Sequence, residues 1–246
     1  LCNPAVKFRA LCERADALGA RYVATGHYVR AEGGALYKGQ FPNDQSYMLC
    51  RLSREQAARL VAPLGLLRKE QVRALALELG IPAAKKPDSM EICFIPDGDY
   101  AAWLDRRGTP PPPGDFLYHG QVVGRHRGIH HYTLGQRRGF GVSAGHRVYV
   151  SEIRPDTNEV VLSDGDGVWA PSLRAGNVNW LITPPEAPFR CDVRVRHSRA
   201  AFPARVVPGA DGGAEVLFDA PIRAPTPGQS AVFYAGERLL GGGFIL

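Results

Sequence analysis

The run Gly108-Thr109-Pro110-Pro111-Pro112-Pro113-Gly114 separates two kinds of periodicity in the chain. Proline fixes φ and removes a main-chain donor, so such a run forms a stiff connector. Upstream, apolar residues recur at helical spacing. Val6, Leu11, Ala15 and Leu18 precede Gly19, and Val72, Leu75, Ala76 and Leu79 precede Gly80 and Pro82. These patterns predict helices over residues 5–19 and 69–79. Between them Tyr22-Val23-Ala24-Thr25 reads as a short buried strand, and Leu36-Tyr37-Lys38 as another reached through Gly33-Gly34. Ser53-Arg54-Glu55-Gln56 has the form of a capping box. A short helix is expected around Tyr100 to Leu104. Downstream of the prolines only short alternating runs occur: 147–150, 159–162, 191–195, 204–207, 214–218 and 230–234. Glycine, proline, Asp and Asn punctuate them, as in all-β modules. The expected fold is therefore α/β plus all-β. Its three parts are an α/β domain over 1–104, a small central β-rich domain over 105–166 and a β module over 167–246.

With 45% hydrophobic residues in 246, the chain can bury real cores. No apolar run approaches the roughly 18 residues of a membrane span, and no signal peptide is evident. A cytoplasmic protein without membrane association is expected. The net charge of +6 permits a polyanionic partner, and equally describes an Arg-rich soluble surface. The cysteines are Cys2, Cys12, Cys50, Cys93 and Cys191, odd in number and without C-x-x-C spacing. That pattern argues against a disulfide scaffold and against zinc, leaving room for a transient disulfide. The chain opens at Leu1-Cys2 without an initiator Met and reads as cut from something longer.

Several residues stand where chemistry is placed in such folds. Gly26 and His27 follow a strand, at the carboxyl end where α/β sheets bind nucleotides; a plain strand-end turn with a surface His is the competing reading. Asn43 or Asp44 is an N-cap or part of a polar contact segment. His126, His130 and His131 cluster, but no Cys or carboxylate lies near them in sequence, so no protein-bound metal is expected. Arg194 and Arg196 fall on one face of a strand-like run with His197 and Arg199 close by, suited to phosphate or forming a solvated face. Thr226-Pro227-Gly228-Gln229 is a turn. Cys93 follows Lys85 and Lys86 in a loop-like segment, which favours a thiolate; Ile92 and Phe94 beside it favour a buried, inert thiol.

Taken in order, one set of motifs spans nearly the whole chain. It runs Cys2-Asn3 with Val6-Lys7-Phe8, Ala24-Thr25-Gly26-His27-Tyr28, Asp44-Gln45-Ser46-Tyr47 and Lys69-Glu70-Gln71-Val72-Arg73. It continues with Asp88-Ser89, Ile92-Cys93-Phe94-Ile95, Gly124 with His126 and Gly128, and Tyr132-Thr133-Leu134-Gly135-Gln136-Arg137. It closes with Thr226-Pro227-Gly228-Gln229-Ser230 and Leu240-Gly241-Gly242-Gly243. Jointly these residues resemble the tRNA-specific 2-thiouridylases.

The resemblance implies a fold and a reaction. The fold is the C-terminal part of an adenine-nucleotide α-hydrolase-like (PP-loop ATPase) domain, a small central domain and a C-terminal β-barrel. The reaction is ATP-dependent conversion of the tRNA wobble uridine to 2-thiouridine. ATP, with Mg as counter-ion, adenylates the C2 carbonyl, and a cysteine persulfide supplies sulfur. By motif, Cys93 matches the persulfide-bearing cysteine and Cys2 the nucleophile that pairs with it in a transient disulfide. Gly26 matches an ATP contact. His27, Asn43, Asp44, Gln45, Arg196, His197 and Gln229 match tRNA contacts. The implied partners are tRNA and a persulfide sulfur-relay donor protein.

Three departures qualify the match. The family's Ser-Gly-Gly-x-Asp-Ser phosphate loop is not in these residues, so the chain reads as a C-terminal fragment that is inactive alone, with a non-catalytic tRNA-binding role as the alternative. Asn43 stands where the family usually has Lys, and Leu239 where it often has Cys. A thiol-redox protein that uses Cys2 and Cys93 without RNA is a third reading.

Overall fold

The computed structural model describes residues 2–86, 95, 98–142, 144–196 and 200–246. Cys93 and His197 lie outside these described residues. The helix expected over 5–19 begins as a π-helical turn, Cys2–Phe8, and continues as α1, Arg9–Ala17. Phe8 and Ala15 are its buried side chains; Val6, Leu11 and Leu18 are exposed. The strand expected at 22–25 is β1, Val23–Ala24. Next come β2, Val29–Glu32, and β3, Ala35–Lys38. The turn between β2 and β3 uses Gly33 and Gly34 at positive φ, the mirror-image geometry that suits a two-residue hairpin.

Ser53 caps α2, Arg54–Arg59, with the capping box intact: its hydroxyl accepts from Gln56 N, and Gln56 Oε1 accepts from Ser53 N. Helix α2 leads into β4, Leu60–Val61, which pairs parallel with β1. The next helix, α3, spans Lys69–Glu78 and fully buries none of its residues: Val72 and Ala76 of its apolar stripe are half-buried and Leu75 is exposed.

The described chain forms two compact units. The first comprises residues up to Lys85, Pro171–Ala220 and Pro227–Leu246. Its second half is built from β9 (Trp169–Trp180), β10 (Phe189–Arg194), β11 (Phe202–Pro208), β12 (Ala214–Arg223), β13 (Ser230–Ala235) and β14 (Arg238–Ile245). They run in the order β13-β10-β11-β12-β9-β14, and β13 pairs back onto β14, closing a six-stranded barrel. Closure removes the open edges of an antiparallel sheet. The β2–β3 hairpin adds to the outside of β14, with Tyr37 opposite Arg238. Phe8, Val29, Leu36, Leu49, Leu52 and Leu60 pack with Val232, Tyr234 and Leu239 in one core. One face of β13, carrying Val232 and Tyr234, thus packs against the α/β part of the same unit.

The glycines of Leu240-Gly241-Gly242-Gly243 explain themselves in this barrel. A Cβ at Gly241 would stand 2.2 Å from Asn179 O, one at Gly242 2.7 Å from Ala231 O, and one at Gly243 2.6 Å from Gly176 O. Strands β9 and β13 approach too closely for any side chain there.

The second unit comprises Lys86–Ala170 and Pro221–Thr226. Helix α4, Tyr100–Arg107, starts at Asp99, whose carboxylate accepts from Ala102 N. The strands are β5 (Gly114–Tyr118), β6 (Gln121–His126), β7 (Tyr149–Arg154) and β8 (Glu159–Ser163), in the order β6-β5-β8-β7. Their core is Phe116, Tyr132, Phe140, Val148, Val150, Val160 and Leu162. α/β elements, a small β-rich part and a β-barrel are thus all present. Among the described residues no helix is long and apolar enough to cross a membrane.

Candidate active site

The parallel pair β1–β4 ends where the sequence predicts a ligand. Thr25 N donates to Val61 O, extending the ladder one residue beyond β1. The chain then turns out through Gly26 and His27. A pocket of about 690 Å³ opens there, lined by Lys7 and Phe8 of the π-helical turn and by Thr25, Gly26, His27 and Gln45. Three expected site residues therefore meet in one cavity at the carboxyl end of a strand, as α/β sheets arrange their ligands.

The His27 ring is held on two sides. Its Nδ1 lies 3.0 Å from Thr25 Oγ1, and its centroid 5.9 Å from that of Phe8. Burial, with a smaller push from the Lys7 ammonium, lowers its pKa below the usual 6.5. The imidazole is neutral at pH 7, a hydrogen-bonding group and not a cation. Gln45 is fixed by the main chain of Tyr28: its N donates to Tyr28 O at 2.9 Å, and its Oε1 accepts from Tyr28 N at 3.1 Å.

The neighbouring residues of the polar segment play unlike parts. Asp44 Oδ1 accepts from Gly39 N and Ser46 N, while Oδ2 accepts from Ser46 Oγ and, at 2.5 Å, from Arg194 Nη1. Its carboxylate is thereby committed to the fold. Asn43 Nδ2 is buried and has no hydrogen-bond partner among the described residues. Arg194 corrects the expectation of an outward guanidinium row. It is buried, paired with Asp44, and lies over the rings of Tyr47 and Tyr234. Strand alternation does not extend past it either: β10 ends at Arg194, and Arg196 follows in a bend, partly exposed. Gln229 is partly exposed, and its carbonyl accepts from Ile245 N.

Cys2 is exposed at the start of the π-helical turn. It opens a second, smaller pocket of about 230 Å³, shared with Asn3, Tyr47, Cys50, Arg51 and Ser230. Asn3 Nδ2 donates to Met48 O, and Tyr47 Oη to Ser230 O, which fix the two walls. The same turn therefore contributes to both cavities. Cys50 and Cys191 are poor nucleophiles: burial pushes their thiols up to about 11 and about 12. Among the described cysteines, Cys2 is the exposed one.

Sequence reasoning missed the part of Lys7, whose charge bears on His27, and that of Asp105. The latter lies 25 residues before His130 yet brings Oδ1 within 2.6 Å of its Nε2. No local spacing signals such a contact.

The class of protein follows from comparison of these parts with known families. Residues 1–97 match the tRNA methyl transferase HUP domain, 104–164 the tRNA methyl transferase PRC-barrel domain, and 170–245 the aminomethyltransferase beta-barrel domain. The relatives narrow it. The tRNA-specific 2-thiouridylase MnmA of Pelotomaculum thermopropionicum is 42% identical over 257 residues, covering 99% of this chain and 69% of the relative. That of Carboxydothermus hydrogenoformans is 43% identical over 255 residues, covering 99% and 70%. MnmA 1 of Caldanaerobacter subterraneus is 44% identical over 254 residues, also covering 99% and 70%. The chain belongs to the tRNA-specific 2-thiouridylase family.

Proposed function

We propose that this protein thiolates the wobble uridine of tRNA at C2, using ATP and a cysteine persulfide. The observation that carries the reading is the pocket beyond β1, which gathers Gly26, His27 and Gln45 in a chain of the thiouridylase family. The match of residues 1–97 to a HUP domain favours an enzyme over a module that only binds RNA.

On this reading the uracil carbonyl oxygen is a poor leaving group until ATP, with its Mg counter-ion, converts it to an adenylate and releases pyrophosphate. The terminal sulfur of a Cys93 persulfide attacks C2, and AMP departs with the original oxygen. The Cys2 thiolate then attacks Cys93 Sγ. The S–S bond to the base breaks, its electron pair leaves with the 2-thiouridine sulfur, and a Cys2–Cys93 disulfide results. An external dithiol reduces that disulfide, and a persulfide donor protein reloads Cys93.

Cys2 suits its part by its exposure, at the edge of a pocket. Gly26 offers an open main chain to the nucleotide, and neutral His27 a hydrogen bond without charge. Asn43, Asp44, Gln45, Arg196, His197 and Gln229 make up the tRNA-contacting set. Asp44 acts within it by holding the turn, since its oxygens are occupied.

The test supplies the intact gene product with an unmodified tRNA transcript, ATP, Mg and a persulfide donor, then digests the RNA for nucleoside mass analysis. The expected product is 2-thiouridine, absent when ATP is omitted. Stable tRNA binding with no 2-thiouridine under the complete conditions would overturn the catalytic reading.

A further inference from the structure

We propose that Asp105, His130 and His131 form a binding site for a divalent transition-metal ion of the zinc or cobalt type. The site lies wholly within the unit of residues 86–170 and is independent of the thiolation reading. Two elements build it. Helix α4 carries Asp105, and a 3₁₀ turn, Ile129–His131, carries the two imidazoles. His130 Nε2 stands 2.6 Å from Asp105 Oδ1, and His131 Nε2 3.5 Å from Oδ2. One ligand atom from each residue lies within 4.8 Å of the other two. Bonds of about 2.0–2.1 Å to a tetrahedral zinc put ligand atoms roughly 3.3 Å apart. The three groups need only small shifts to reach that spacing.

The surroundings support an ion. The His130 and His131 side chains are 10% and 13% exposed and that of Asp105 37%, so the pocket is closed by the imidazoles and open beside the carboxylate. His130 Nε2 faces Asp105, while its Nδ1 is turned toward Gly128. The turn is shaped around that ring: at Gly128, φ +141°, a Cβ would stand 2.6 Å from His130 Cε1 and 2.8 Å from Pro111 O. Tyr100 Oη donates to His130 O, tying the turn to α4. Burial and the Arg127 charge oppose a positive charge at His131, while Asp105 and Asp99 favour one.

Two imidazoles and one carboxylate suit zinc, cobalt or nickel better than calcium or magnesium, which prefer all-oxygen sets. Asp105 and the two imidazoles supply three ligands, and water takes the fourth position.

The experiment titrates the metal-free protein with Co²⁺ and reads ligand-field absorbance together with a ¹⁵N correlation spectrum. The expected result is one equivalent with visible bands lacking thiolate charge transfer, and paramagnetic broadening centred on residues near 105 and 130–131. Zn²⁺ should compete it away. Asp105→Asn, close in shape to the native side chain, and His131→Ala should each weaken Co²⁺ at least tenfold while their spectra stay folded. Failure of the native protein to bind Co²⁺, broadening centred on a cysteine instead, or native affinity in Asp105→Asn would each overturn the site.

Discussion

A Cβ placed at Gly26 meets only Leu64 Cδ1, at an ordinary 3.6 Å, and its backbone does not lie in the left-handed region. The fold itself therefore does not require glycine there. Gly26→Ala should change stability by no more than about 0.5 kcal/mol, yet weaken ATP binding by placing a methyl in the pocket. Thermal melting and an ATP titration check both halves; unchanged ATP affinity would detach Gly26 from the nucleotide. Arg194 behaves oppositely. Its side chain is 4% exposed and that of its partner Asp44 12%, so Arg194→Ala leaves a carboxylate buried and unpaired, at a cost of about 3–5 kcal/mol. Urea unfolding reads that loss, and a change under 1 kcal/mol, below the scale such broken pairs show, would contradict it. His126 supplies a pH dependence. Its Nδ1 accepts from Gly128 N and its Nε2 faces Asn158 O, a network that fits the neutral ring. Burial places its folded pKa below 6.5. Below pH 6.5 the unfolded chain takes up the proton first, so stability is full above that value and falls as pH drops. His27 and His131 share the direction. The urea midpoint should therefore be lower at pH 5.5 than at 7.5, and His126→Gln should shrink the difference.

At the scale of elements, the triple glycine of β14 is the sharpest constraint. In Gly242→Ala the new methyl would sit 2.7 Å from the Ala231 carbonyl, on a strand that cannot yield without opening the barrel. A loss of about 1–3 kcal/mol is expected in chemical denaturation. What the sequence discloses here follows from periodicity. The capping box at Ser53, the β3 strand and the runs that became β8, β10, β11, β12 and β13 were legible because alternation or cap chemistry is local. Strand β14 was not, since glycines carry no hydrophobic pattern, and twelve-residue β9 is broken by Pro171 and polar residues. The stripes on α1 and α3 predicted their helices correctly but not their burial: periodicity states which face is apolar, and cannot state what covers it.

For the whole molecule, the pocket beyond β1 draws Lys7, Gly26, His27 and Gln45 from three separated stretches into one place. The strand-end rule located Gly26 and His27 from sequence; joining Gln45 and Lys7 to them required tertiary structure. Likewise Arg194 read as a surface cation because its partner, Asp44, lies 150 residues away. The proposed function places Gly26, His27 and Gln45 at tRNA thiolation, and Cys2 is where that proposal is most exposed to disproof. The deciding measurement is 2-thiouridine formation on an unmodified tRNA transcript by the intact gene product, native and carrying Cys2→Ser or Cys93→Ser, each with ATP and a persulfide donor. The account predicts 2-thiouridine from the native protein and none from either variant, with tRNA binding retained. Undiminished 2-thiouridine from Cys2→Ser would contradict it.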